Sequence, residues 1–350
     1  MSEEKQAADG VEDGVEDGVE DGVDHGVDHG ESSFTVLLAL AANVGVGLLK
    51  LAAGLISGSS ALLSEAAHSA GDSTTEVLLL VAQKRSRKPA DRSHPFGYGK
   101  ERYFWSMLAA VAIFVSGAGF SIYEGLTTML GEGSEAKMLW INYPVLAFSA
   151  LLEGASLRQA AKQMRQETAR TRRSLRGYLR LPRDPTLNSV LLEDSAAIVG
   201  LAVATVGVAL HQITGSAIGD GAASVVIGLL LLSVSFVLAR ACANLLIGRQ
   251  ADPRLLREIE SWLEGQAEVD DLVDVLTMLV GVDSILVCTR VDFVDTLTAA
   301  DLETACVRID VDMRAKFPML SEVFIQPASR KDVDLRARVT ERYGHALAEE

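Results

Sequence analysis

Six stretches of this chain are about twenty residues or more of mainly apolar sequence, and they limit the fold more than any other feature. Runs of that length cross the hydrocarbon core of a bilayer as helices, and the bilayer offers no water to satisfy an open backbone. The runs lie near 34–56, 60–82, 104–129, 138–160, 187–210 and 219–247. A soluble helical bundle would need amphipathic stripes, whereas most of these runs are apolar all round. Hydrophobic residues make up 49% of 350 residues and charged residues 23%, which excludes a disordered chain or a small disulfide scaffold. The expectation is an α-helical membrane protein with six transmembrane helices over residues 33–250.

The net charge of -15 is unevenly spread. Residues 2–31 hold twelve Asp or Glu against one Lys, repeating as GVED and GVDH, so this stretch alone carries -11 and the remainder about -4. With few large apolar groups to offset the entropy of ordering, residues 1–32 are expected to form a disordered acidic tail. His25 and His29 within it read as part of a solvated low-complexity segment or, alternatively, as weak metal-collecting groups. The acidity of this stretch, and the lack of a basic segment before the first run, lead to the expectation of neither a mitochondrial transit peptide nor a cleaved signal peptide.

Loop charge sets orientation, because Lys and Arg beside spans are retained in the cytoplasm. Between the second and third runs stand Lys84, Arg85, Arg87, Lys88, Arg92, Lys100 and Arg102, and between the fourth and fifth, counted from Arg158 at the end of the fourth run to Arg183, stand nine basic residues. The connections SGSS and HQITGSAI have no Lys or Arg. Both termini are then cytoplasmic, and the Arg-rich stretch reads as charge anchoring or anionic-lipid contact, not as a nucleic-acid patch.

After residue 250 the pattern becomes that of a soluble domain. Asp252 can cap a helix that opens on Pro253. Strand-like stretches at 272–280 and 284–293, a helix at 298–316 and a short strand at 322–326 complete an αββαβ order over residues 251–328, a ferredoxin-like α+β domain able to pair with a second copy. Residues 329–350 are expected to be a tail. Cys242, Cys288 and Cys306 have no close spacing that suggests thiol chemistry or a zinc thiolate site.

Ionisable side chains inside spans are costly and are functional candidates by default. In SALLSEAAHSAGDSTTE, His68 and Asp72 are four residues apart and share a helical face, and Glu65 and Glu76 extend that stripe. An imidazole and a carboxylate so placed can bind one divalent cation. The fifth run contributes Glu193 and Asp194; neighbours point about 100° apart on a helix, so one faces the pair squarely and the other obliquely. Glu153 in the fourth run reads equally as functional or as an interface residue. Lys50, near the end of the first run, is expected to snorkel outward. Gly45 and Gly47 are expected to permit close helix approach.

The run SGSSALLSEAAHSAGDSTTEVLLL, followed by HPFGYGKERYFW, SIYEGL, DPTLNSVLLEDSAAIVG and GDGAASVVIGLLLL, resembles the cation diffusion facilitators, six-span divalent-metal/proton antiporters with a cytoplasmic dimerisation domain. The resemblance covers most of residues 34–327. It implies a metal site in the membrane built from HxxxD pairs in the second and fifth spans. His68 and Asp72 match the first pair. Asp194 matches the acid of the second, but Val190 stands where the family has His, a departure similar to the branch related to the ninth human zinc transporter. Glu193 is then the candidate replacement, and water the alternative. The family's cytoplasmic zinc sites have no counterpart, since the tail domain has no His before His345 and its Cys are scattered; Asp292, Asp295 and Asp310 are expected to be solvated.

One imidazole with two or three carboxylates suits zinc, with cobalt, iron and manganese as alternatives. Metal and protons compete for the same ligand atoms, and because histidine as a residue type ordinarily titrates near neutrality, His68 is the natural exchange group. The expectation is a secondary active transporter, not an enzyme: a homodimer with metal and protons as substrates, no cofactor and no nucleic-acid partner, in a prokaryotic inner membrane. The alternative is a non-transporting scaffold of the same fold.

Overall fold

The computed structural model describes residues 29–131, 138–170 and 185–343. Met1–Ala39 and Leu40–Glu350 form two units; the first contributes the opening of helix α1 (His29–Ser57), and the contacts below belong to the second. The acidic repeat up to residue 28, with His25, lies outside the described residues, whereas His29, expected in the tail, opens α1.

Gly58, with φ of 70°, turns the chain between α1 and α2 (Ser60–Ser86), and the Ser59 side chain accepts from Leu62 N at 3.2 Å to cap α2. The third helical stretch is α3 (Glu101–Ala112), a π-helical segment (Ile113–Gly119) and α4 (Phe120–Met129). Then come α5 (Asn142–Arg170), α6 (Pro185–Thr214) and α7 (Ile218–Ile247). Among the described residues, four segments are long and apolar enough to cross a membrane: Leu40–Ser57, Glu101–Met129, Ser189–Thr214 and Ile218–Ile247. With 27 and 29 residues, α2 and α5 have the length but are less apolar. Arg158, Lys162 and Arg165, expected in a loop, lie on α5, and the Arg-rich stretch 171–184 lies outside the described residues.

Small residues form the seams of the bundle. Ala61, Ala110, Ala118, Ala204 and Ala223 are buried, while Leu55, Val115, Leu151 and Phe236 face outward and are more than half exposed, as lipid-facing residues would be. Where α4 crosses α7, a Cβ on Gly221 would meet Gly125 O at 2.8 Å. The α2 helix packs against α3, the π segment, α4, α6 and α7, and α5 packs against α6.

The C-terminal part has the expected α, β, β, α, β order, with one helix more. Asp252 Oδ1 accepts from Arg254 N at 2.8 Å to start α8 (Pro253–Glu264). Strand β1 (Val269–Leu279) pairs antiparallel with β2 (Ile285–Phe293), whose residues alternate in burial as a one-sided sheet requires. A capping box of Thr298 and Asp301 opens α9 (Ala299–Lys316), which crosses over to β3 (Leu320–Pro327), parallel to β2. The sheet is therefore mixed, in the order β1-β2-β3. Residues expected as tail form α10 (Val333–Tyr343).

This domain shares its core with the membrane helices: Tyr103 of α3 and Leu245 of α7 are buried with Ile259, Leu263, Ile285 and Ile309. Leu279 N donates to Arg249 O at 2.9 Å and Ala251 N to Thr277 Oγ1 at 3.0 Å. A Cβ on Gly99, in the α2–α3 loop, would stand 2.8 Å from Gly281 Cα in the β1–β2 turn. Two Asp expected to be solvated are instead held by arginines: Asp292 Oδ2 accepts from Arg330 N at 3.0 Å, and Asp310 pairs with Arg314 at 2.8 Å, while Asp295 is exposed as expected.

Candidate metal site

The polar face of α2 is fixed from its first turn. Asp220, at the start of α7 and fully buried, accepts from Ser60 N at 2.6 Å, Ser59 Oγ at 2.9 Å and Ser60 Oγ at 3.1 Å. A buried carboxylate on the amide end of a helix is stabilised by the amide donors and the helix dipole, which offsets its desolvation. Further along α2 the side chain of Ser64 bonds Ser224, again on α7.

Two turns beyond its start, α2 presents the expected pair. His68 Nδ1 stands 3.4 Å from Asp72 Oδ1, close enough for an ion pair but not aligned for a hydrogen bond. Neither ring nitrogen of His68, nor Asp72 Oδ1, has a hydrogen-bond partner among the described residues. The π segment lies alongside: a Cβ on Gly71 would meet Ser116 Oγ at 3.1 Å, and Ser116 bonds Ala112 O at 2.6 Å. Such widened turns are frequent at functional positions, and nothing in the apolar run 104–129 foretells this one.

Glu193 and Asp194 on α6 differ as their angular offset implies. Glu193 is buried with Oε1 unbonded, and it feels the charges of Asp72, Asp194 and Glu76. Asp194 is partly exposed, and its Oδ2 accepts from Ser156 Oγ of α5 at 2.7 Å. Asp72 in turn feels Asp194. Among the described residues, no three His, Cys, Asp or Glu side chains already stand close enough to share one metal ion. What the fold collects is an imidazole and several carboxylates, on two packed helices, with buried lone pairs unused.

The accessory carboxylates have partners. Glu76 Oε1 accepts from Asn43 Nδ2 of α1 at 2.7 Å, leaving Oε2 unbonded. Glu65 pairs with Lys50, which overturns the snorkelling expectation. Lys50 is fully buried, with Nζ 3.1 Å from Glu65 Oε2, 2.9 Å from Ser69 Oγ and 3.8 Å from Glu153 Oε1. Snorkelling would win were the ammonium alone; two carboxylates on α2 and α5 compensate its desolvation where it is. Glu65 Oε1 abuts Gly200 of α6, where any side chain would collide with it.

Residues not foreseen from sequence as parts of this site are Lys50 as an inward-facing charge, Ser69, Asn43, Ser156 and Asp220. Of these only Asp220, an acid in the first turn of a span, had a readable signal.

Residues 36–247 match the cation efflux transmembrane domain, and the chain belongs to that family, the cation diffusion facilitators. Metal tolerance protein C4 of Arabidopsis thaliana is 33% identical over 262 residues, covering 75% of this chain and 57% of that protein. The human protein named proton-coupled zinc antiporter SLC30A9, mitochondrial, is 33% identical over 258 residues, covering 74% of this chain and 45% of its own. Magnetosome protein MamM of Paramagnetospirillum magneticum is 32% identical over 95 residues, 27% of this chain and 30% of that one. The chain thus resembles the branch of the ninth human zinc transporter, and it spans about half the length of the curated relatives it matches at 33% identity. Those relatives are animal and plant proteins and lend no support to the expected prokaryotic inner membrane. The chain is a multi-pass membrane protein of a family of transporters.

Proposed function

We propose that this protein exports a divalent cation, zinc above others, from the cytoplasm in exchange for protons, through an alternating-access site between α2 and α6. The observation that carries the reading is the set of buried, unbonded donor atoms on His68, Asp72 and Glu193, in helices that pack together. The name of the human relative, proton-coupled zinc antiporter, favours zinc and protons. In this reading α2 and α5 also cross the membrane, making six spans with both termini cytoplasmic. Their lower hydropathy follows from the ionisable groups they bring to the interior.

The ion binds to deprotonated ligands, His68 and Asp72 with Glu193 or Asp194, in the inward-open state. After the bundle rocks, protons on the other side displace it from the same atoms, and His68 is the principal exchange group. No separate resident cofactor takes part. Two copies associate through the C-terminal domain, where Val307 and Val311 on one face of α9 and Phe324 of β3 are 66%, 60% and 52% exposed.

The test is uptake of zinc, manganese, iron and cobalt into inside-out proteoliposomes under an imposed pH gradient, with His68→Ala and Asp194→Ala alongside. Gradient-driven accumulation of zinc that both variants lose is the expected result. Equal flux with and without the gradient, or undiminished flux in His68→Ala, overturns it. No flux of any metal by a folded dimer favours the non-transporting scaffold, for which the lack of a ligand at Val190 is the motive.

A further inference from the structure

The buried ammonium of Lys50 is not part of the exchange chemistry just described, yet it stands at the junction of three helices. Its Nζ is surrounded by oxygens from Glu65 and Ser69 on α2 and Glu153 on α5. Ser69 is the chain neighbour of His68, and the charges of Lys50, Glu65 and Glu153 all reach both His68 and Asp72. A small cation held by two carboxylates and a hydroxyl would occupy the position that the tethered ammonium takes. Glu65 keeps one buried oxygen, Oε1, without a hydrogen bond.

We propose that Lys50 is a specificity-determining residue: its charge withdraws Glu65 and Glu153 from the ions passing α2 and holds the cargo site to a donor set that includes imidazole. This rests on reading the site as a metal path. All-oxygen donor sets suit hard ions such as manganese and magnesium, whereas imidazole-containing sets suit zinc. With Lys50 present the cluster of one cation and two carboxylates carries one net negative charge. With a neutral residue in its place it carries two, inside a bilayer where an uncompensated charge is costly. A hard divalent ion relieves that cost, so the freed acids capture one.

The experiment is competitive uptake of zinc and manganese by the full-length protein in proteoliposomes. Lys50→Gln is expected to shift the zinc-to-manganese ratio toward manganese by roughly ten-fold, and Lys50→Arg to leave it near the wild-type value. The triple variant Lys50→Gln/Glu65→Gln/Glu153→Gln, which removes the freed acids as well, is expected to return the ratio toward that of the wild type. An unchanged ratio in Lys50→Gln, or the same shift in the triple variant, overturns the proposal. Should Lys50→Gln not fold, Lys50→Met, which removes the same charge with a side chain of similar length, takes its place, and the same direction of shift is required of it. Wild-type protein that moves neither metal overturns the transport reading instead. The inference is then decided by mass-spectrometric counting of manganese bound to the detergent-purified protein, where Lys50→Gln must hold one more ion per chain than the wild type.

Discussion

Asp220, in the first turn of α7, accepts a hydrogen bond of 2.6 Å from the backbone N–H of Ser60, the first residue of α2. The helix that carries His68 and Asp72 is therefore pinned at its start by a side chain 160 positions further along the chain. Asp220→Ala removes the acceptor for both serine hydroxyls as well and is expected to cost about 2 kcal/mol. Asp220→Asn retains one acceptor oxygen and should lose less. Thermal unfolding of the detergent-solubilised protein gives the ranking, wild type above Asn above Ala. Equal stability of all three would mean that the contact does not anchor α2.

The loop after α2 is the second anchor. At Gly99 the α2–α3 loop lies directly against the backbone of Val280 and Gly281 with no side chain between, and beside it Lys100 Nζ reaches Met278 Sδ of β1 at 3.6 Å. Gly99→Val forces this junction open. The expected outcome is faster amide exchange in residues 97–101 and 278–284, with the sheet pairing of β1 and β2 retained. Unchanged exchange there would show that the junction accommodates a side chain by a rigid shift.

How much of this was legible follows from the range of each interaction. The pairing of His68 with Asp72 is local, set by the helical repeat, and so was the cap that Asp252 gives α8; both could be read from spacing. The order of the C-terminal elements was readable because Gly281, Asp283 and Pro318 punctuate it. The burial of Lys50 cannot be read from spacing, because its partners Glu65 and Glu153 come from other helices and sequence position gives only the distance to the span end. Ser156 on Asp194 and Asp220 on Ser60 are likewise tertiary contacts. The π segment at Ile113–Gly119 has no compositional mark, because an added residue in a turn leaves an apolar run equally apolar.

The missing second imidazole can be restored. Val190 precedes Asp194 by one helical turn on α6, so Val190→His would complete an HxxxD pair like that of α2. An added imidazole favours zinc over manganese, and the zinc-to-manganese uptake ratio should rise by roughly ten-fold. Ser156→Ala, which frees Asp194 from its 2.7 Å hydrogen bond, should lower the half-saturating zinc concentration without altering that ratio. If Val190→His leaves zinc affinity and selectivity untouched, α6 does not line the ion's path.

The C-terminal domain offers a test independent of metal. Asp274 on β1 has a fully buried side chain, bonded to Arg290 Nη1 of β2 at 2.8 Å and reached by Arg342 Nη1 of α10 at 3.5 Å. One carboxylate thus ties the edge strand to its neighbour and to the last helix. Asp274→Ala leaves two guanidiniums without their shared acceptor, and removal of one member of a buried pair costs about 3 kcal/mol. Because Arg290 and Arg342 are 24% and 47% exposed, water meets part of their need and the loss should fall below that figure. The local signature is specific: amide protection should drop first in α10 and in β1 near residue 274, while α2 and α6 are unaffected. A uniform loss across the membrane helices would instead mean that the shared core around Tyr103 and Leu245 makes the two parts unfold as one.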